Sequence, residues 1–371
     1  MNNEQRTIRG FTLIELLVAI AILAMVVVFA GVIFKVCVES HRTAIANTEI
    51  MQKLRAITDQ LNSDFKGLRK DGEIFVVWVA KKADTANYDG YHDCDNDGYE
   101  RFDRIMFFAD GDFQSYRANP VIRGNLSRIC YMLARNSAGK RAHEYTDLNL
   151  TEQGRKQREK ERRQRILART QHILTADADL PNFDPTTFTI PQQWSDWNNR
   201  LEYDKMTMEQ WKNILWDKKK DMLTVITDVT VGDSVIPDDV RGAKVNPADP
   251  NSIHMLLCEG VGEFKVQGWY DNQQRWVPEV DPDGNGDLSD TEFFLFDPTG
   301  SVPGLLYPYP PYGAVILGGA FNGNYFQELL NEASFNFIPG LGRALKFTFT
   351  LYDSKGVIKN GRTFTHIVYL D

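Results

Sequence analysis

The sequence predicts an α+β protein: one long N-terminal helix packed on an antiparallel β-sheet head, with a helical insertion. Three observations predict it. The stretch from Phe11 to about Lys70 has no proline and only two glycines, Gly31 and Gly67. Residues 344–353 and 363–370 alternate apolar and polar side chains, the period of half-buried strands. Between the strand-rich parts lies a charge-dense block, Arg155–Arg165, with helical composition.

The helix divides into two halves. Phe11–Phe34 is apolar except for Thr12 and the single acid Glu15. At 1.5 Å per residue it reaches about 36 Å, enough to cross a hydrocarbon core of about 30 Å. A carboxylate at mid-bilayer costs about 2.5–3.5 kcal/mol, so a lone acid near the start of such a segment signals a function. Arg6 and Arg9 precede the segment, so the positive-inside bias places residues 1–10 in the cytoplasm and the head across the membrane; Lys35 and Arg42 oppose this. An ordinary secretory signal has its small-residue cut site after the apolar run, whereas here Gly10 lies before it. Over 35–70 the pattern becomes amphipathic, with Ile45, Ile50, Leu54, Ile57, Leu61 and Phe65 recurring mostly every four residues. One helix of about 55 residues, about 80 Å long, is predicted.

The head is expected over 71–371. Strands are predicted at 74–80, 105–109 and 129–134, then near 222–231, 253–258 and 262–270, and finally at the two C-terminal segments, joined by a turn at Asp353–Gly356. Two insertions interrupt this pattern. The first, about 136–220, is charged and helical, and its Trp194, Trp197, Trp211 and Trp216 suggest a small helical subdomain. The second, about 278–340, is an exposed excursion that carries a candidate calcium loop. The basic run at 155–169 is either a solvated helix or a contact for anionic lipid, nucleic acid or an acidic partner.

With 371 residues there is room for one large or two ordinary domains. The net charge is −8; residues 1–10 carry a net +1 (Arg6, Arg9, Glu4), so their removal gives −9. An acidic head does not suit non-specific nucleic-acid binding, and no nucleic acid is expected. The four cysteines, Cys37, Cys94, Cys130 and Cys258, form no CxxC. A Cys94–Cys130 bridge and buried free thiols both fit. The histidines are dispersed. There is no HExxH, no GxSxG and no P-loop, so no enzymatic activity is expected.

Asp281-Pro-Asp-Gly-Asn-Gly-Asp-Leu-Ser-Asp-Thr-Glu292 fits a twelve-residue EF-hand loop. Its oxygen ligands would come from Asp281, Asp283, Asn285, the Asp287 carbonyl, Ser289 and bidentate Glu292, with Gly286 at the sharp turn. Hard oxygens at alternate positions suit Ca²⁺ in a structural role; an acidic surface turn is the alternative. A weaker candidate comprises Asp93, Asp95 and Asp97, closed by Asp103, since Arg104 holds the twelfth position.

The run Arg9-Gly10-Phe11-Thr12-Leu13-Ile14-Glu15-Leu16-Leu17-Val18-Ala19-Ile20 resembles the type III signal of type IV pilins and pseudopilins. The resemblance implies cleavage by a membrane prepilin peptidase between Gly10 and Phe11 and N-methylation of Phe11. It further implies that Glu15 pairs with the N-terminal amine of a neighbouring subunit. Within that class, Glu259–Phe264 leading into Gly268–Asp271, then Trp276, Leu341–Phe347, Arg362–Phe364 and Arg101–Phe108 resemble the minor pseudopilin J of type II secretion systems. This implies a single-pass inner-membrane protein with a periplasmic pseudopilin head. It would assemble with the I-type and K-type minor pseudopilins and the major pseudopilin at the pseudopilus tip to support protein export. A minor pilin of a type IV pilus and a membrane-anchored calcium-binding adhesin are the alternative functions.

Overall fold

A computed structural model describes residues 12–72, 74–82, 99–116, 121–134, 152–180, 184, 202–214, 243, 245–247, 252–270, 275–277, 313–318 and 343–370. The first element is helix α1, Leu13–Lys66, of 54 residues. None of its residues before Ala46 is buried; from there Ala46, Ile50, Ile57, Leu61, Asp64 and Phe65 face the head. The predicted amphipathic face is therefore the docked one from Ile50 onward, whereas Ile45, predicted on the same face, is exposed. The helix stops at Lys66 rather than near Lys70. Gly67 caps it and passes so close to the chain at Asp110 that a Cβ would run into the Asp110 carbonyl. The Gly67 carbonyl then accepts from the Asp110 amide at 2.7 Å, and Leu68 bridges Ala109.

Twelve strands follow among the described residues: β1 (Ile74–Lys82), β2 (Tyr99–Arg101), β3 (Arg104–Gln114), β4 (Arg123–Leu133), β5 (Ile166–Thr175), β6 (Tyr203–Lys205), β7 (Leu256–Glu259), β8 (Val261–Tyr270), β9 (Arg275–Val277), β10 (Gly313–Gly318), β11 (Ala344–Leu351) and β12 (Arg362–Tyr369). Helix α2 spans Glu152–Gln164 and helix α3 spans Met208–Asn213. One sheet runs β10-β1-β3-β4-β5-β6, with β2 beside β1 and β7 beside β5; the second runs β12-β11-β8-β9. The second sheet is antiparallel throughout, as expected. The first is largely antiparallel but takes parallel strands at two places, β1 with β10 and β5 with β6.

Described residues within both predicted insertions join the first sheet. Residues 166–175 do not belong to a separate helical subdomain: β5 lies inside the first sheet, between β4 and β6. Trp211 of α3 is fully buried in the same core, edge-on to Phe108 at 5.3 Å and 5.0 Å from the Arg128 guanidinium. Within the second predicted excursion, 313–318 returns to the sheet as β10. The segment 253–258 begins as a 3₁₀ turn, Ile253–Met255, before β7. The expected strand near 222–231 lies outside the described residues, as do Trp194, Trp197 and Trp216.

Phe65 ties α1 to both sheets, stacking on Phe107 at 4.2 Å and meeting Phe347 at 5.6 Å. Ile50, Ile57 and Leu61 are fully buried, each favouring the docked helix by about 1.5–3 kcal/mol. The turn between β11 and β12 grips the same helix. Lys53 donates to the Tyr352 carbonyl at 2.8 Å, and Glu49 accepts from the amide and hydroxyl of Ser354 at 2.9 and 3.0 Å.

Candidate assembly site

The N-terminus of α1 is built by a local rule. Thr12 has an extended backbone and caps the helix: its hydroxyl accepts from the Glu15 amide at 3.3 Å, and Glu15 Oε2 accepts from the Thr12 amide and hydroxyl, both at 2.9 Å. This is a reciprocal capping box, and its carboxylate also suits the positive end of the helix dipole. The Thr-x-x-Glu spacing was legible in the sequence, but the sequence reading assigned Glu15 an intermolecular role alone. Glu15 Oε1 has no partner among the described residues. The carboxylate is half engaged by its own chain, with one oxygen available. From Leu13 to Val36 the side chains around it are exposed, and α1 is the one helix among the described residues long and apolar enough to cross a membrane. Gly10 and Phe11, the expected processing junction, lie outside the described residues.

A second carboxylate on the same helix is held differently. Asp64, buried among Leu61 and Phe65, accepts from Arg169 Nε at 2.7 Å and Nη2 at 2.8 Å, from Gln60 at 3.0 Å, and from the Tyr131 hydroxyl. Burial and the neighbouring Asp64 charge push the Tyr131 hydroxyl well above its ordinary value. Burial works against the Arg169 cation, but the hydrogen bonds and charge of Asp64 outweigh it and raise its pKa. The sequence reading missed this cluster. Its one local signal was an acid on the otherwise apolar face of the amphipathic half.

The basic run is not a solvated patch throughout. Arg162 and Arg165 are buried and converge on Glu100 Oε1 at 3.0 and 2.6 Å. Arg163 reaches Glu159 at 3.0 Å, while Lys156 and Lys160 stay exposed. The end of α2 is thus anchored into the head by charge pairing.

The calcium candidates are not brought together by the described residues. Asp281, Asp283, Asn285, Asp287, Ser289 and Glu292 lie outside them, as do Asp93, Asp95 and Asp97. Asp103 is described, and its employment differs from that expected. It is fully buried, forms a two-pronged pair with Arg101, and accepts from the Val266 amide at 2.8 Å. A carboxylate so committed stitches the β2–β3 junction to β8 and has little left for a cation. Among the described residues no group of three His, Cys, Asp or Glu side chains could hold a metal. Cys130 and Cys258 are buried free thiols pushed up to about 12, chiefly by burial; Cys37 is exposed, and Cys94, the other member of the conceivable Cys94–Cys130 bridge, lies outside the described residues.

Residues 5–31 match the family model described as the prokaryotic N-terminal methylation motif. The chain carries a type IV pilin-like prepilin signal. The motif implies processing by prepilin peptidase and assembly with other pilin-like subunits. The match ends inside the exposed half of α1 and does not reach the head. No curated protein and no solved structure matches the chain.

Proposed function

We propose that this chain is a minor pseudopilin of the J type in a type II secretion system. It sits in the inner membrane with its N-terminus cytoplasmic and its head periplasmic, and joins the I-type and K-type minor pseudopilins and the major pseudopilin at the pseudopilus tip. The half-engaged Glu15 carboxylate within the prepilin signal carries the reading. The free oxygen receives the N-terminal amine of a neighbouring subunit, an exchange that a low-dielectric surrounding favours only when both charges are paired. The head patterns from Arg101–Phe108 to Arg362–Phe364 support the J type. The role is assembly rather than turnover. In the test, Glu15→Ala leaves cleavage and the folded head intact but removes the chain from complexes pulled down with its tip partners. Normal co-assembly of that variant would overturn the reading.

The 281–292 loop enters this reading by its sequence alone, as a structural Ca²⁺ site. Calcium should raise the Tm of the wild-type chain and leave Glu292→Gln unmoved. A wild-type Tm indifferent to calcium and to chelator would remove the metal from the proposal.

A further inference from the structure

We propose that Arg128, on the face of the first sheet turned away from α1, is the cationic anchor of a binding site for a small carboxylate. Strand alternation puts it on that face. Tyr131 of β4 reaches Asp64 of α1, so Ile129 and Tyr131 line the helix side, while Arg128 and Cys130 line the opposite side. There Arg128 has Phe108 of β3 and His172 of β5 as its cross-strand neighbours. Trp211 of α3 roofs this row: the centre of its ring lies 5.0 Å from the Arg128 guanidinium and 5.3 Å from the Phe108 ring.

Arg128 is 3% exposed, and its Nε has no hydrogen-bond partner among the described residues. Other buried arginines of the head each meet a carboxylate: Arg101 meets Asp103, Arg162 and Arg165 meet Glu100, and Arg169 meets Asp64. The carboxylate that acts on Arg128 is Asp204 of β6, which does so through its charge, and one of its oxygens lies 2.7 Å from His172 Nε2. Burial outweighs that charge and brings the guanidinium down to about 10. A buried cation without a counter-ion in contact is costly, and a bound ion is one of the ways in which native structures relieve such a group.

The surroundings select the anion. A guanidinium is a planar fork whose N–H groups meet the two oxygens of a carboxylate edge to edge. Trp211 and Phe108 close the row with apolar rings, and Asp204 adds a negative charge beside it. Both work against an ion with two or more charges and favour a single charge spread over two oxygens. The Asp204 side chain, at the β6 end of the row, is 21% exposed, which makes that end the side of entry. The site belongs to the head and does not depend on the Glu15 reading.

The test is thermal unfolding of the full chain in detergent, in a buffer free of carboxylates. Sodium formate and sodium acetate are the probes, and sodium chloride at equal ionic strength is the control. Formate or acetate should raise the wild-type Tm saturably by about 4 °C or more, and chloride should not. Arg128→Met keeps most of the side-chain bulk, removes the cation, and should abolish the response. Without added carboxylate this variant should be at least as stable as the wild type, because an apolar group replaces a buried cation that lacks a counter-ion. A destabilised or unfolded Arg128→Met in that buffer would mean that a carboxylate of the chain itself already pairs with Arg128, and would overturn the inference. So would an equal response to chloride, a response that survives in Arg128→Met, or a wild-type Tm that neither probe moves.

Discussion

Glu15 and Asp64 are two carboxylates on one helix, and each interrupts an apolar stripe. Asp64 takes a two-pronged arginine, a tyrosine hydroxyl and a glutamine amide, all from its own chain. Glu15 takes two bonds, both from Thr12, and keeps one oxygen unused among the described residues. The first arrangement is closed and holds the helix to the head. The second is open and leaves bonding capacity for another molecule. The two acids thus differ in how many acceptor positions their own chain fills, a difference that neither sequence position nor surrounding hydropathy reveals.

The comparison can be broken most sharply at Asp64. Asp64→Ala leaves Arg169 and Tyr131 without their partner and should cost about 3–5 kcal/mol in urea unfolding of the full chain in detergent. A loss no larger than that of an exposed-site change would show that the cluster is not a clamp. The two halves of α1 supply the next contrast. Leu61→Ala, fully buried, should cost about 2–5 kcal/mol, whereas Leu23→Ala, 63% exposed, should leave the unfolding midpoint of the head where it was. Equal effects would mean that the helix does not divide at Ala46.

The smallest effect concerns pH. Burial pushes the Glu49 carboxyl up, but the hydrogen bond and charge of Lys53 and the bonds from Ser354 outweigh it and hold it below its ordinary value. A depressed carboxyl stabilises the fold fully above its unfolded pKa, about 4.5, and loses that contribution as pH falls through the lower folded value. Stability should therefore decline below about pH 4.5, and less steeply in Glu49→Gln. Identical acid limbs for the two proteins would release Glu49 from this role.

What could be read in the sequence was whatever depends on nearest neighbours. The helix was legible because its apolar spacing and lack of proline are local, and so were the alternating strands β11 and β12. β5 was not. Its middle, Arg169-Thr-Gln-His172, looks polar, and those side chains are tolerable inside a sheet only because Asp64 and Asp204 meet them from 105 and 32 residues away. The anchoring of α2 was hidden for the same reason: Glu100 lies 62 residues before Arg162. At the site the capping box was written in four consecutive residues. The second oxygen of Glu15 could be counted only once the box had formed.

Because α1 runs from the lipid half into the head without a proline or a break, the head cannot turn independently of the anchor. From Phe34 to Lys66 the helix extends about 48 Å, so a tilt of about 20° in the bilayer carries its far end sideways by about 16 Å. How the anchor leans therefore sets the radius over which the head sweeps the membrane surface, and with it how often it encounters other proteins there.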